Sequence, residues 1–192
     1  MRKEQLYAGV LAPIVALTGI GTAIELNRSW WHVTENAISD LGRVGLPHNW
    51  VLNSSLVVSS ILAIYYSAGL LREARNSVER AGIGIFIVGL VFLALIGIFP
   101  EGTWPHYYVS WGFFVSASVG FLIAGLGAGL SGDRSIALFT VVVFTAGWIL
   151  ALWAMRHFRG VAVAEFVGVF GMIIWHYTVM WKKFREAPHP RG

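Results

Sequence analysis

Six apolar segments, each about long enough to cross a lipid bilayer, constrain this chain more than any other feature. An α-helix rises ~1.5 Å per residue, so a hydrocarbon core of about 30 Å requires roughly twenty apolar residues. The segments lie near residues 5–26, 49–71, 81–99, 105–130, 135–155 and 161–181. Only 12% of the residues are charged, whereas about a quarter are charged in typical soluble domains. The sequence therefore predicts an all-α fold, with residues 1–192 forming a single transmembrane domain, a six-helix bundle in the cell membrane.

The Lys and Arg residues are divided unequally between the two ends of the predicted bundle. Ten of the 14 lie on the side that carries both termini. The opposite side carries only Arg28, Arg43, Arg156 and Arg159. Lys and Arg are enriched in cytoplasmic loops of membrane proteins. Both termini are therefore predicted to be cytoplasmic, so that the long first loop, the PEGTW turn and the RHFRG turn face outward.

Ionisable side chains are concentrated near the predicted outer ends of the helices. Such groups are costly at membrane depth and usually belong to a buried pair or a functional site. The candidate catalytic residues are Asp40, Glu101, His106 and Glu165. His106 would act as a general base or metal ligand, and the carboxylates as ligands or as an acid–base pair. Asp40, Glu101 and His106 are also candidate ligands of a divalent metal. The alternative for Asp40 is that it only caps a turn.

Two short stretches would set the local geometry of this site. In VTENAISDLGRVG, Thr34 is expected to cap a helix of one or two turns, and Gly42 to end it in a left-handed conformation. In IGIFPEGTWPH, Pro100 would end the third span and Pro105 would start the fourth. The acid and the imidazole of this stretch would then lie in a tight hairpin, either as part of a site or as ordinary solvated groups.

The sixth segment carries polar residues on one helical face. At 100° per residue, Glu165, Met172 and His176 share that face, which is predicted to point into the bundle. Glu165 would lie near the outer boundary and His176 about 16 Å deeper. In the fourth segment, Gly125 and Gly129 form a G-x-x-x-G pair, which favours close helix packing.

Several classes of function lack their sequence signature. The chain has no Cys, which excludes disulfides, thiolate metal sites and cysteine nucleophiles. It has no phosphate-binding Gly loop, H-E-x-x-H pair, G-x-S-x-G elbow or Rossmann fingerprint, and no basic surface with interleaved aromatic residues that would indicate nucleic acid. A b-type haem needs histidines at similar depth, whereas His106 and His176 are predicted near opposite membrane faces. That separation argues against haem.

The chain resembles a family of prokaryotic six-span membrane proteins, the domain of unknown function 998 family. The resemblance covers nearly the whole chain and rests on NAISDLG, on IGIFPEG with the following His106, and on an acidic residue that opens the sixth span before Trp175. It places Ser39, Asp40, Gly42, Pro100, Glu101, His106 and Glu165 at the family's motif positions. The family is more distantly similar to eukaryotic six-span proteins of the DRAM and Sfk type, some linked to lipid or lipid-anchor remodelling and autophagy. The resemblance implies a shared outward-facing site without an established reaction.

Three functions remain open at this point. The first is binding or modification of lipids at the outer leaflet by the four candidate residues. The second is a proton- or cation-coupled transporter that uses Glu165 and His176. The third is a non-enzymatic structural or binding protein whose polar groups tie the loops together. Membrane lipids are the expected partners, and the residues leave enzymatic activity and oligomeric state open.

Overall fold

The computed structural model describes residues 1–186 and contains six long α-helices. They are α1 (Lys3–Leu26), α2 (Trp50–Arg72), α3 (Ser77–Ile98), α4 (His106–Leu130), α5 (Arg134–His157) and α6 (Ala162–Glu186). All six are long and apolar enough to cross a membrane, and residues 1–186 contain no strand. The predicted all-α six-span fold is confirmed, and the chain is a multi-pass membrane protein. The orientation of the termini stays a prediction; Arg191, one of the cations it rests on, lies outside the described residues.

Local chemistry explains several helix ends. Asn76 caps α3 by accepting a hydrogen bond from the Glu79 backbone N–H at 2.8 Å, so α3 begins at residue 77 rather than near residue 81. Asp133 caps α5 through its carboxylate. Pro100 follows the end of α3, as predicted, and Pro105 immediately precedes the first residue of α4. The turn between α3 and α4 is therefore short and fixed by a proline on each side.

Helices α3 and α4 pack backbone against backbone. A methyl group on Gly82 would lie 2.2 Å from the backbone nitrogen of Ala124, and one on Gly120 would lie 2.3 Å from that of Phe86. These distances are far below van der Waals contact, so only glycine permits this approach. The predicted G-x-x-x-G pair also serves packing, but both of its glycines face α5.

Helix α5 is the least buried of the six. Only 11% of its most apolar window is buried, against 50% for α4. Its packing partners are α4 and α6. The α6 side chain of Trp175 donates a hydrogen bond from Nε1 to Thr140 Oγ1 of α5 at 3.0 Å. Helix α5 therefore lies at the edge of the bundle, with most of its surface not covered by the other helices.

Buried polar side chains tie the other helices to one another through backbone carbonyls. Ser60 of α2 donates to the Leu90 carbonyl of α3 at 2.5 Å. His176 of α6 donates from Nε2 to the Gly9 carbonyl of α1 at 2.8 Å, and its ring centroid lies 4.6 Å from that of Tyr66. The part of the polar face of α6 around His176 therefore packs against α1 and α2.

The first loop differs from its prediction. Thr34 caps no helix; the regular structure here is a short 3-10 helix, Ser39–Gly42. Gly42 does not adopt a positive φ, so the predicted left-handed stop is wrong. Position 42 requires glycine because the Asn53 side chain packs closely against it. A methyl group there would lie 2.3 Å from the Asn53 side-chain oxygen. The Asn53 amide also donates to the Gly42 carbonyl at 2.9 Å, which holds the loop on α2.

Candidate functional site

Three loops meet at one end of the bundle, called the site end below: residues 27–49, 99–105 and 158–161. The Val44 N–H donates to the Glu101 carbonyl at 2.9 Å, which joins the first loop to the α3–α4 turn. The Gly160 N–H donates to the Thr34 carbonyl at 3.0 Å, and the Ala162 N–H donates to the Asn36 carbonyl at 2.9 Å. These contacts place the first loop against both of the other connections.

Asp40 makes the contacts of a turn-capping residue. Its Oδ2 accepts a hydrogen bond from the Ala37 N–H at 2.8 Å, and its Oδ1 accepts one from the Arg43 guanidinium at 2.6 Å. Both carboxylate oxygens therefore have partners within the first loop. The geometry agrees with the capping alternative, in which Asp40 shapes the loop.

Glu101 and His106 lie together, in the hairpin between α3 and α4. His106 is buried, and its Nδ1 lies 2.9 Å from the Phe99 carbonyl oxygen. A carbonyl only accepts, so Nδ1 carries a proton. The other ring nitrogen, Nε2, lies 3.1 Å from Glu101 Oε2 and 3.3 Å from Ser110 Oγ. Nε2 therefore lies between a carboxylate oxygen and a hydroxyl oxygen, and either group can exchange a proton with it.

Glu165 lies one turn into α6 and reaches the first loop. Its Oε2 accepts a hydrogen bond from the Ile38 N–H at 2.6 Å. The carboxylates of Asp40 and Glu101 both lie within Coulombic range of it. The four predicted site residues are thus brought to the same end of the bundle, with Asp40 held inside the loop and the other three beneath it.

A cavity of about 610 Å³ opens beneath these residues, between α4, α5 and α6. Its polar end is lined by Ser39, Glu101, Thr103, His106, Ser110 and Glu165. The rest of its wall is mostly apolar and aromatic, and includes Phe114, Phe121, Phe144, Trp148 and Met172. The volume falls within the range of roughly 300–1,000 Å³ that is usual for small-molecule sites.

Comparison with protein families matches the family described as Protein of unknown function (DUF998) over residues 10–182. The chain belongs to the DUF998 family. The match spans every candidate residue of the site end. No curated protein and no solved structure matches the chain, so the more distant similarity to DRAM- and Sfk-type proteins stays a prediction.

The metal hypothesis gains no support from this DUF998 structure. Within residues 1–186, no group of three or more His, Cys, Asp or Glu side chains is arranged to hold a metal ion. Of the three predicted ligands, Glu101 and His106 are in contact, whereas Asp40 is paired with Arg43. A divalent metal therefore stays a prediction from the sequence and enters no proposal below.

The main feature of the DUF998 site that sequence reasoning missed is the aromatic and glycine lining of the cavity. Phe121, Phe144 and Trp148 lie on helices that are apolar on all sides, where the pattern of apolar residues does not separate a cavity wall from a packed interface. Gly147 and Gly171 were a clue, because neither supports a close helix contact. Beyond Cβ, Gly147 has open space and Gly171 meets only Val143, at an ordinary 3.7 Å.

Proposed function

We propose that this protein binds a membrane lipid at the outer leaflet of the cell membrane. In this proposal the acyl chain occupies the cavity between α4, α5 and α6, and the head group lies at Glu101, His106 and Glu165. The observation that carries the proposal is the one-ended polarity of the cavity. Its ionisable groups are at the site end, and its remaining wall is mostly apolar. This distribution matches an amphiphile inserted with its head toward the loops.

The shape of the cavity supports a long apolar occupant. Its lining on α4 extends from His106 to Phe121, and fifteen residues of helical rise at ~1.5 Å each correspond to about 22 Å. That length is roughly two thirds of a hydrocarbon core of about 30 Å. A compact polar metabolite would leave most of the apolar wall without a partner, whereas an acyl chain would contact it throughout.

The position of α5 supports entry from the bilayer. This helix forms one wall of the cavity and is the least buried helix of the bundle. Near the site end, Tyr107 is 66% exposed and Met155 is 40% exposed, although both line the cavity. A lipid could therefore enter sideways between α4 and α5 without crossing the loops.

The contact between Glu101 and His106 is the feature that modification of a bound lipid would require. A group within hydrogen-bond reach of a substrate can exchange a proton with it during reaction. Glu101, His106 and Ser110 all line the cavity, so the head group of an occupant would contact the Glu101–His106 pair directly. Binding is the function proposed, and the pair marks where chemistry would occur.

The transport alternative has less support from the geometry. It requires Glu165 and His176 to form a path for protons or cations. His176 instead donates to the Gly9 carbonyl and packs on Tyr66, and these contacts serve helix association. Tyr66 and Gly9 are also so close that a methyl group on Gly9 would lie 2.6 Å from the Tyr66 ring, which leaves little room beside His176.

The test is a variant that fills the cavity without disturbing the fold. Gly147 lines the cavity, and a Cβ at this position meets nothing within 4 Å, so Gly147→Leu should place its side chain in the space proposed for the acyl chain. Gly84 of α3 also has open space beyond Cβ and does not line the cavity. Gly84→Leu is therefore the matched control.

Binding would be measured with the purified protein in a nonionic detergent. A phospholipid with a brominated acyl chain should quench the fluorescence of Trp148 when the chain enters the cavity. Gly147→Leu should weaken quenching by about tenfold or more in apparent affinity, and Gly84→Leu should leave it unchanged. Thermal unfolding would first establish that both proteins are folded. Equal quenching in the wild type and in Gly147→Leu would then disprove the proposed lipid site.

A further inference from the structure

We infer that the head group of the occupant carries an ammonium group. This inference rests on the proposed lipid site and names the chemical class that the site selects. It starts from Glu165, which among the side chains described, those of residues 1–184, is the one partly buried carboxylate without a basic partner. A lipid with a cationic head would supply that partner.

The other partly buried carboxylates show how consistently this chain pairs its acids. Asp40 pairs with Arg43 at 2.6 Å and Glu101 with His106 at 3.1 Å. The same holds at the opposite end of the bundle, where the pairs are Glu73 with Lys183, Glu79 with Arg75 and Asp133 with Lys182. An acid removed from water is costly unless it is paired. Glu165 departs from this pattern at the wall of the cavity between α4, α5 and α6.

The contacts of Glu165 leave part of its carboxylate available to a ligand. Oε2 accepts from the Ile38 N–H, and no hydrogen bond to Oε1 occurs within residues 1–186. Because Glu165 lines the cavity, an ammonium group at the polar end would lie within reach of that oxygen. A charge-assisted hydrogen bond of this kind is stronger than one between neutral groups.

The rest of the polar end also favours a cation over an anion. The residues that line the cavity include two carboxylates, from Glu101 and Glu165, and no Lys or Arg. In the first loop, the guanidinium of Arg43 donates its hydrogen bond to Asp40 and not to a residue of the cavity lining. Glu101 is in contact with His106, so Glu165 is the carboxylate of the lining that lacks a basic partner. An anionic head group without an ammonium would meet two carboxylates and no Lys or Arg from the lining.

The experiment compares amphiphiles that differ only in their heads. Hexadecylammonium, hexadecyl phosphate and a neutral hexadecyl glucoside would each compete with the brominated phospholipid for the purified full chain. We expect hexadecylammonium to bind at least about tenfold more tightly than hexadecyl phosphate. The glucoside should fall between them, because its hydroxyls donate hydrogen bonds without supplying a charge.

The variant Glu165→Gln tests the residue itself. The amide oxygen of Gln can still accept from the Ile38 N–H, so the first loop keeps its attachment to α6. Affinity for hexadecylammonium should fall about tenfold or more, and affinity for the glucoside should stay within about twofold. Glu25→Gln is the control, because Glu25 is exposed at the end of α1 and away from the cavity.

Two results would overturn the inference while leaving the lipid site intact. One is binding of hexadecyl phosphate as tightly as hexadecylammonium, and the other is an ammonium preference that survives in Glu165→Gln. Failure of every hexadecyl probe to compete, together with no effect of Gly147→Leu on quenching, would instead remove the proposed lipid site. The head-group competition therefore tests the ammonium preference, and the Gly147→Leu variant tests the lipid site itself.

Discussion

Replacing Gly160 by Ala should detach the first loop from the α5–α6 connection. A methyl group at this position would lie 2.2 Å from the backbone nitrogen of Asn36 and 2.3 Å from the carbonyl carbon of Glu35. These are backbone atoms, so no side-chain rotation relieves the overlap. The two segments must separate by about 1 Å to reach ordinary van der Waals contact.

The size of the effect follows from the hydrogen bonds that this separation breaks. The Gly160-to-Thr34 and Ala162-to-Asn36 backbone bonds, at 3.0 and 2.9 Å, would both be stretched beyond bonding distance. Each is worth roughly 0.5–1.5 kcal/mol net, so docking of the loop should weaken by about 1–3 kcal/mol. The bond from Ile38 to Glu165 has a charged acceptor and would add roughly 1.5–3 kcal/mol if it were also lost.

Amide hydrogen exchange measures this change where it occurs. Opening of the loop exposes the Gly160 and Ala162 N–H groups, and a change of 1–3 kcal/mol corresponds to roughly 5- to 150-fold faster exchange. The effect should appear in peptides covering residues 33–42 and 158–166. Peptides from α3 and α4 should keep their protection, because their glycine contacts are remote from the substitution.

Gly21→Ala is the control, because Gly21 lies in α1 and has nothing within 4 Å of its Cβ position. It should leave exchange of the first loop unchanged. If Gly160→Ala exchanged like the wild type in residues 33–42, the close approach of the two backbones would be wrong, and the arrangement of the site end would be wrong with it.

Two further predictions concern stability away from the site. Burial alone would raise the pKa of the Asp133 carboxyl, but hydrogen bonds, first from Lys182 and then from the Ile136 N–H, hold it below its usual value. The Asp133 carboxylate therefore contributes its full stabilisation at pH values above the pKa of the unfolded chain, about 4. This stabilisation is lost as the pH falls through the lower pKa of the folded protein. Thermal unfolding followed by tryptophan fluorescence should show a smaller loss of Tm on acidification in Asp133→Asn than in the wild type; equal losses would contradict the pairing. Ser60→Ala removes the hydrogen bond to the Leu90 carbonyl. It should lower the free energy of unfolding by about 0.6 kcal/mol, and by at most ~1.7 kcal/mol. Ser67→Ala is its control, since Ser67 is fully buried without a partner within residues 1–186, and an equal cost in the two variants would refute the role of the Ser60 bond.

The six spans were predictable because length and apolarity together determine which segments cross a bilayer. The start of α3 was placed late because the prediction followed apolar residues, whereas the helix begins at the Asn76 cap. The placement of Glu101 and His106 in one hairpin also followed from sequence, since two prolines restrict that hairpin, whereas the sequence left open whether the two side chains meet. These features depend on residues close together in the chain.

The parts that could not be predicted depend on contacts between distant residues. Gly42 was assigned a left-handed turn because glycine often adopts one, but here it admits Asn53 from α2. Glu165 was predicted near the same end of the bundle as Asp40, whereas its bond to Ile38 required knowledge of where the first loop folds. The cavity depends on how far α5 stands from α4 and α6, and no local pattern in an apolar helix encodes that distance.

The peripheral position of α5 has a consequence for how such a protein can diversify. The backbone contact between α3 and α4 tolerates little change, because a single methyl group would force the two helices apart. A substitution on the face of α5 that lines the cavity alters the cavity wall, whereas most of the remaining surface of α5 packs against no other helix of the bundle. Selection for a longer, shorter or bulkier occupant could therefore act on one helix while the remaining five keep the architecture. Under the proposed lipid-binding function, differences in ligand among family members should be sought first in the α5 sequence.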